Sequence, residues 1–406
     1  MLNEKNNEIK DLISDLANSP AEEVPCDAEE PIREYTEEEL EAIKAIKEEA
    51  VAEYKAQKAA EEAELAARKT KTKKAMKKTF SSCGWALLVL MGVWMGIVNI
   101  SSIASSIADL ILEAFALRGW LIFPFSIQEL FTKYYLIINE AALLIAVFIA
   151  SLVLKTKESP KPEKRPVSFK KFLLLIPISF AVRTAGALIS NAISTLTDSY
   201  SEADALTELL AQTDLRVAFI CVGIIAPIIE ELFFRKMLID RLRPHGEMAC
   251  LIVSALFFGL FHQNIGQFFY AFGMGLVLAH LYYHSGKYHL AVIIHAIFNI
   301  TGIIPLLFYD SLSEAIETAY LLIEGSAPID ALLPFVSTII AYFIYAVVLL
   351  ALTIAGIIII GTNYKKFKIQ KSNSPLSPAE QREVFWKTPG AIIAVAVTAV
   401  LTLLSL

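Results

Sequence analysis

Residues 216–235 read RVAFICVGIIAPIIEELFFR, an apolar run that carries two adjacent glutamates, Glu230 and Glu231, and an arginine four residues on, Arg235. Two further polar motifs follow inside apolar runs: Phe258-Gly259-Leu260-Phe261-His262, and His295-Ala296-Ile297-Phe298-Asn299. Ionisable side chains are costly in hydrocarbon and are kept mainly where they do work. Residues four apart lie on one face of a helix, so each motif holds its polar pair within one turn. Glu231 and Arg235 can therefore pair, which leaves Glu230, about 100° around the helix, free to face elsewhere and to take and return a proton. The competing reading of this motif makes both glutamates structural partners of Arg235 and Arg241 near a membrane interface.

Working outward, the 406 residues are 55% hydrophobic with a mean hydropathy of +0.54, too apolar for an ordinary soluble protein. Apolar runs begin near residues 84, 134, 172, 216, 248, 267, 288, 333 and 389. By the criterion of roughly 20 apolar residues per span they predict about nine helices, the fifth and sixth of them short. The expected fold is all-α, a polytopic transmembrane bundle of about eight to nine helices behind a soluble helical extension at residues 1–80. The transmembrane domain then occupies 81–406, with the chemistry concentrated at about 172–309.

The net charge of −6 conceals a separation of sign. Basic residues cluster at Lys69–Lys78, at Lys155–Lys171, at Lys236, Arg241 and Arg243, and at Lys365–Lys371. With a cytoplasmic amino terminus and nine spans, all of these fall on the cytoplasmic side, as the positive-inside bias requires. The acidic connections holding Asp198, Glu202, Asp204 and Glu208, and Asp310, Glu314, Glu317 and Glu324, then fall outside. The four cysteines, Cys26, Cys83, Cys221 and Cys250, have no CxxC spacing and support neither a disulfide framework nor a cysteine zinc site. The first apolar run follows some 80 polar residues, so no cleavable signal is expected.

Within the extension, Thr36-Glu37-Glu38-Glu39 reads as a capping box opening a long exposed helix with Leu40, Ile43, Ile46 and Tyr54 as a thin apolar stripe. Pro160, Pro162 and Pro166 among lysines mark an extended loop, and 361–388 another polar one. No repeat, phosphate-binding glycine loop or basic-aromatic pattern for nucleic acid is present. At about 1.5 Å per residue, Glu230 lies roughly 13 Å from the cytoplasmic end of its helix, His262 roughly 18 Å in, and His295 and Asn299 roughly 10 to 17 Å in. Three helices thus bring proton-active groups to one level, which scattered structural polars would not do. His245, His280, His284 and His289 fall near helix ends and read as interfacial and non-catalytic. Glu140 and Arg183 read as an intramembrane ion pair, and Gly273 and Gly275 as close-packing positions.

The order EExxxR, FxxxH, HxxxN on consecutive apolar helices, with Phe272-Gly273-Met274-Gly275 to Tyr282-Tyr283-His284-Ser285-Gly286 between, resembles the CPBP family of intramembrane proteases, also called Abi or type II CAAX prenyl endopeptidases. The resemblance covers roughly residues 215–305. It implies hydrolysis of a peptide bond in a membrane-associated or prenylated protein or peptide, the lipid bilayer and that substrate being the partners. Relatives of this kind include bacterial proteins, so a bacterial cell membrane is the expected location, with the amino terminus cytoplasmic.

The residue types fit the implied chemistry, which needs a base to activate water and donors for the oxyanion. Glu230 is the expected base and His262 holds the attacking water. His295 and Asn299 form the oxyanion site. Glu231 and Arg235 support them from behind, although family usage also counts Glu231 among the essential acids, and Phe258 shapes the cavity wall. No cofactor is required in this scheme. A zinc alternative, in keeping with the metalloprotease label of the family, would take His262, His295 and Glu230 as ligands and a water in the fourth position. A rival of another class is a non-enzymatic transporter or scaffold that uses the same cluster as an ion or proton path.

Overall fold

A computed structural model describes residues 36–118, 125–154, 167–197, 213–363, 369 and 374–404. The prolines and lysines of 155–166, the acidic residues Asp198 to Glu208, the lysines of 365–371 and Cys26 lie outside the described residues, as do the side chains of Leu40, Ile43 and Ile46.

Among the described residues the chain is helical with no strand. The helices are α1 (Glu37–Leu117), α2 (Ile127–Lys133), α3 (Tyr135–Val153), α4 (Phe169–Thr197), α5 (Leu215–His245), α6 (Glu247–Phe261), α7 (Ile265–Ser285), α8 (Tyr288–Ile303), α9 (Tyr309–Ile323), α10 (Val336–Asn363), α11 (Pro378–Trp386) and α12 (Pro389–Leu403). The chain divides into two compact units, Met1–Thr72 and Lys73–Leu406. In the first, the described residues are the exposed Ala-, Glu- and Lys-rich start of α1, good helix formers with little to bury.

Seven helices in the described residues are long and apolar enough to cross a membrane, and an eighth span results if α11 and α12, which meet at a 71° bend, are taken together. The all-α polytopic fold is as expected, but the fifth run, expected to be short, is not a full span. It is α6, whose 15 residues make about 22 Å against a hydrocarbon thickness of ~30 Å. Its start is set by Gly246, whose φ of 94° suits glycine, and its end by Gln263 at φ 52°. The acidic stretch 309–324, read as a connection, is the helix α9, in which Leu312, Ile316, Tyr320 and Ile323 recur at helical spacing.

In the second unit, α1 buries Met76, Phe80, Cys83, Leu87 and Leu90, a stripe alternating steps of four and three, in one core with Phe385, Ala391 and Ala394. Between apolar helices in lipid, small residues let backbones approach. A Cβ on Gly273 would sit 2.3 Å from Val182 of α4, and one on Gly275 would sit 2.9 Å from the Cα of Ala255 in α6, so both positions pack as expected. Gly186 of α4 is tighter against backbone, 2.5 Å from the Cα and N of Tyr270 on α7. Gly186→Ala must therefore separate α4 from α7, and overpacking of this kind costs typically ~1–3 kcal/mol. The expected result is a clear drop in Tm of the detergent-solubilised protein, and an unchanged Tm would show that this crossing yields freely.

Candidate active site

The helix α5 that carries the glutamates is not uniform. An α-helical turn, Ala226–Glu231, is flanked by two π-helical stretches, Cys221–Ile225 and Leu232–Ile239. The sequence supplies a cause for the first. The N–H of Ala226 reaches Cys221 O, so in the same register the donor for Val222 O falls at residue 227, a proline with no N–H. Val222 O is instead bonded by Nδ2 of Asn299 at 2.9 Å. Pro227 thus opens an acceptor that ties the HxxxN motif of α8 to the helix of the glutamates.

Glu231 is fully buried between two partners, Arg235 and His295. Its Oε2 lies 2.9 Å from Arg235 Nε and its Oε1 3.0 Å from His295 Nδ1. The i,i+4 pairing with Arg235 is present, and the histidine adds a second partner. Arg235, also fully buried, reaches Ser254 Oγ at 3.3 Å through Nη1 and lies over the ring of Phe258 at 4.7 Å. Ser254 Oγ in turn donates to Phe234 O at 2.9 Å. Arg241 is not a partner of the glutamates: its guanidinium donates to the carbonyls of Leu154 and Met237. Holding Glu231 from both sides directs Glu230 the other way, and Glu230 Oε2 lies 3.7 Å from His295 Nε2.

Glu230, Phe258, His262, His295 and Asn299 all line one cavity of about 290 Å³, while Glu231 and Arg235 stand behind its wall. His262 caps the end of α6, its ring edge-on to Phe258 at 5.2 Å and Phe261 at 5.6 Å. Phe258 also meets His295 at 90° and 5.5 Å, so one phenyl ring touches Arg235 and both histidines. The three motifs are thereby one site.

The expected pairing of Glu140 with Arg183 is replaced by two separate roles. Among the described residues no ion pair joins them. Glu140 is 6% exposed, accepts from Asn139 Nδ2 at 3.2 Å and lines the same cavity as Glu230. Arg183 lies over the ring of Phe298 at 4.8 Å. The physical reason is packing: α3 lies on α5, whereas α4 lies on α7, α8 and α10. A carboxylate alone in the run of α3 was the signal for this second acid, because such a group in a span marks a functional position by default. Glu140 Oε2 and Glu230 Oε2 are buried with no hydrogen-bond partner in the protein, a costly state that native folds hold at few places.

Of the remaining histidines, His245 ends α5 as expected and is buried, with Nε2 2.9 Å from Thr79 Oγ1. His280 and His284 gather on Glu247. The zinc donor set does not close: His262, His295 and Glu230 do not bring three ligand atoms within 4.8 Å of one another. The residues present do not fit that ion in this arrangement.

Residues 212–301 match the family model for type II CAAX prenyl endopeptidase Rce1-like proteins. This segment is an Rce1-like domain. No significant match was found among curated proteins or among solved structures. The Rce1-like domain runs from the start of α5 into α8 and contains all three polar motifs, whereas Glu140 and the cavity residue Trp94 come from helices outside it. The Rce1-like family indicates a CAAX-type intramembrane peptidase that acts on a protein or peptide. With the long apolar helices, it marks the chain as an integral membrane protein.

Proposed function

We propose that the cavity hydrolyses a peptide bond of a membrane-associated or prenylated CAAX-like substrate, with water activated by Glu230. The observation that carries this reading is the convergence of Glu230, His262, His295 and Asn299 from α5, α6 and α8 on one cavity backed by a buried Glu231–Arg235 pair. Glu230 takes a proton from water held at His262, and the oxygen attacks the scissile carbonyl carbon. The oxyanion accepts from Asn299 and from His295 Nε2–H. Asn299 Nδ2 carries two hydrogens, one spent on Val222 O and the other available to the cavity. Glu231 accepts from His295 Nδ1–H, which fixes the ring and supports an imidazolium. The intermediate collapses as Glu230 returns its proton to the leaving amine, so the carboxylate is regenerated.

In this reading the amino-terminal extension faces the cytoplasm of a bacterial cell, and the substrate enters from the cytoplasmic leaflet. The test is cleavage of a peptide ending in a prenylated CAAX sequence by the purified chain in bilayers, followed by mass spectrometry, with an unprenylated peptide as the comparison. Removing one oxyanion donor costs on the order of 10²–10³ in kcat. Asn299→Ala is expected to show that loss with little change in KM. A change below threefold in a folded variant would remove Asn299 from the oxyanion site.

A further inference from the structure

The hairpin of α6 and α7 has His262 at its closed end, and three metal-ligand side chains meet at its open end. Glu247 is the first residue of α6, about 22 Å along the helix from His262. Its Oε1 lies 2.9 Å from His284 Nε2 and 3.5 Å from His280 Nδ1. The two imidazoles, four residues apart on α7, have centroids 4.4 Å apart. One donor atom from each of the three lies within 4.8 Å of the others, and among the described residues this is the one such group of three or more.

The spacing suits a metal. Tetrahedral zinc with bonds of ~2.0–2.1 Å to nitrogen and oxygen holds neighbouring ligand atoms about 3.3 Å apart, and the two observed contacts bracket that value. Glu247 is 1% exposed, so its carboxylate is positioned by the fold, while the histidine side chains at 30% and 24% stay open to an ion. Glycines on either side hold the ligands in place: Gly246, at φ 94°, starts α6 directly before Glu247, and Gly286, at φ 63°, ends α7 two residues after His284.

We propose that Glu247, His280 and His284 bind one divalent transition-metal ion, zinc by the chemistry of an N₂O donor set, with solvent in the fourth position. The ion staples the start of α6 to the end of α7. It lies outside the reaction cavity, whose lining includes none of the three residues.

The test uses the full chain in detergent, stripped with chelator and titrated with Co²⁺ alone by visible absorption and with Zn²⁺ alone by calorimetry. One ion per chain is expected, with a rise in Tm on saturation. His284→Ala and His280→Ala should each weaken binding at least tenfold, while His289→Ala and His262→Ala leave it unchanged. Absence of saturable binding overturns the proposal, as does binding that survives in His284→Ala or disappears in His262→Ala. Should an alanine variant fail to fold, His284→Gln, which keeps a polar side chain against Glu247, decides by the same titration.

Discussion

Glu230→Gln is expected to leave a folded, membrane-inserted protein that turns over peptide on the order of 10²–10⁴-fold more slowly, the range supplied by a positioned general base. The loss falls on kcat, because glutamine keeps the shape of the cavity wall while removing the group that accepts the water proton. Thermal stability should hold or rise, since the exchange replaces a buried carboxylate oxygen that has no hydrogen-bond partner in the protein. His262→Ala should also abolish cleavage while still inserting. Single-turnover assays in bilayers, with Tm measured alongside, separate chemistry from folding. Cleavage within tenfold of the parent in both folded variants would end the assignment of this site.

Arg235→Ala is expected to have the largest effect on stability. Arg235 and Glu231 are both fully buried, so removing the guanidinium breaks a buried pair and leaves Glu231 with the His295 contact alone, at a cost of ~3–5 kcal/mol. The contact with the Phe258 ring at 4.7 Å is lost as well. Arg235→Lys should recover only part of this, because an ammonium cannot reproduce the planar fork that meets Glu231, Ser254 and Phe258 together. The measurement is thermal unfolding in detergent for both variants and for Glu231→Ala with Arg235→Ala, whose double loss should be smaller than the sum. An Arg235→Ala protein that melts with the parent would show that Glu231 is held by His295 alone.

The membrane class, the helix order and the gathering of the three motifs were legible because each depends on local pattern: apolar runs, i,i+4 spacing and depth along a helix. What was not legible depends on which helices touch. Glu140 and Arg183 look complementary along the chain, yet α3 and α4 pack on different neighbours, and the acid turns into the cavity. His295 was expected as an oxyanion donor, but its second contact, with Glu231, comes from a residue 64 positions away. The HxxxH spacing of His280 and His284 was visible, but not their meeting with Glu247 across the hairpin. The short α6 followed from length, while its limits came from backbone conformations at Gly246 and Gln263.

The π-helical stretches on either side of Glu230 and Glu231 also bear on how this helix tolerates change. Each π turn is in effect one extra residue threaded into an α-helix, and such insertions concentrate at functional sites. Each π stretch takes up its surplus residue locally, so the helix on either side keeps nearly the bearing it would have without it. Deleting a single residue from 221–225 would let that stretch close into regular α-helix with both glutamates nearly at their depth and bearing, and would alter the carbonyl to which Asn299 is bonded. In this helix the π stretches are where a one-residue change of length is absorbed, and the bond from Asn299 to Val222 O is what such a change would disturb.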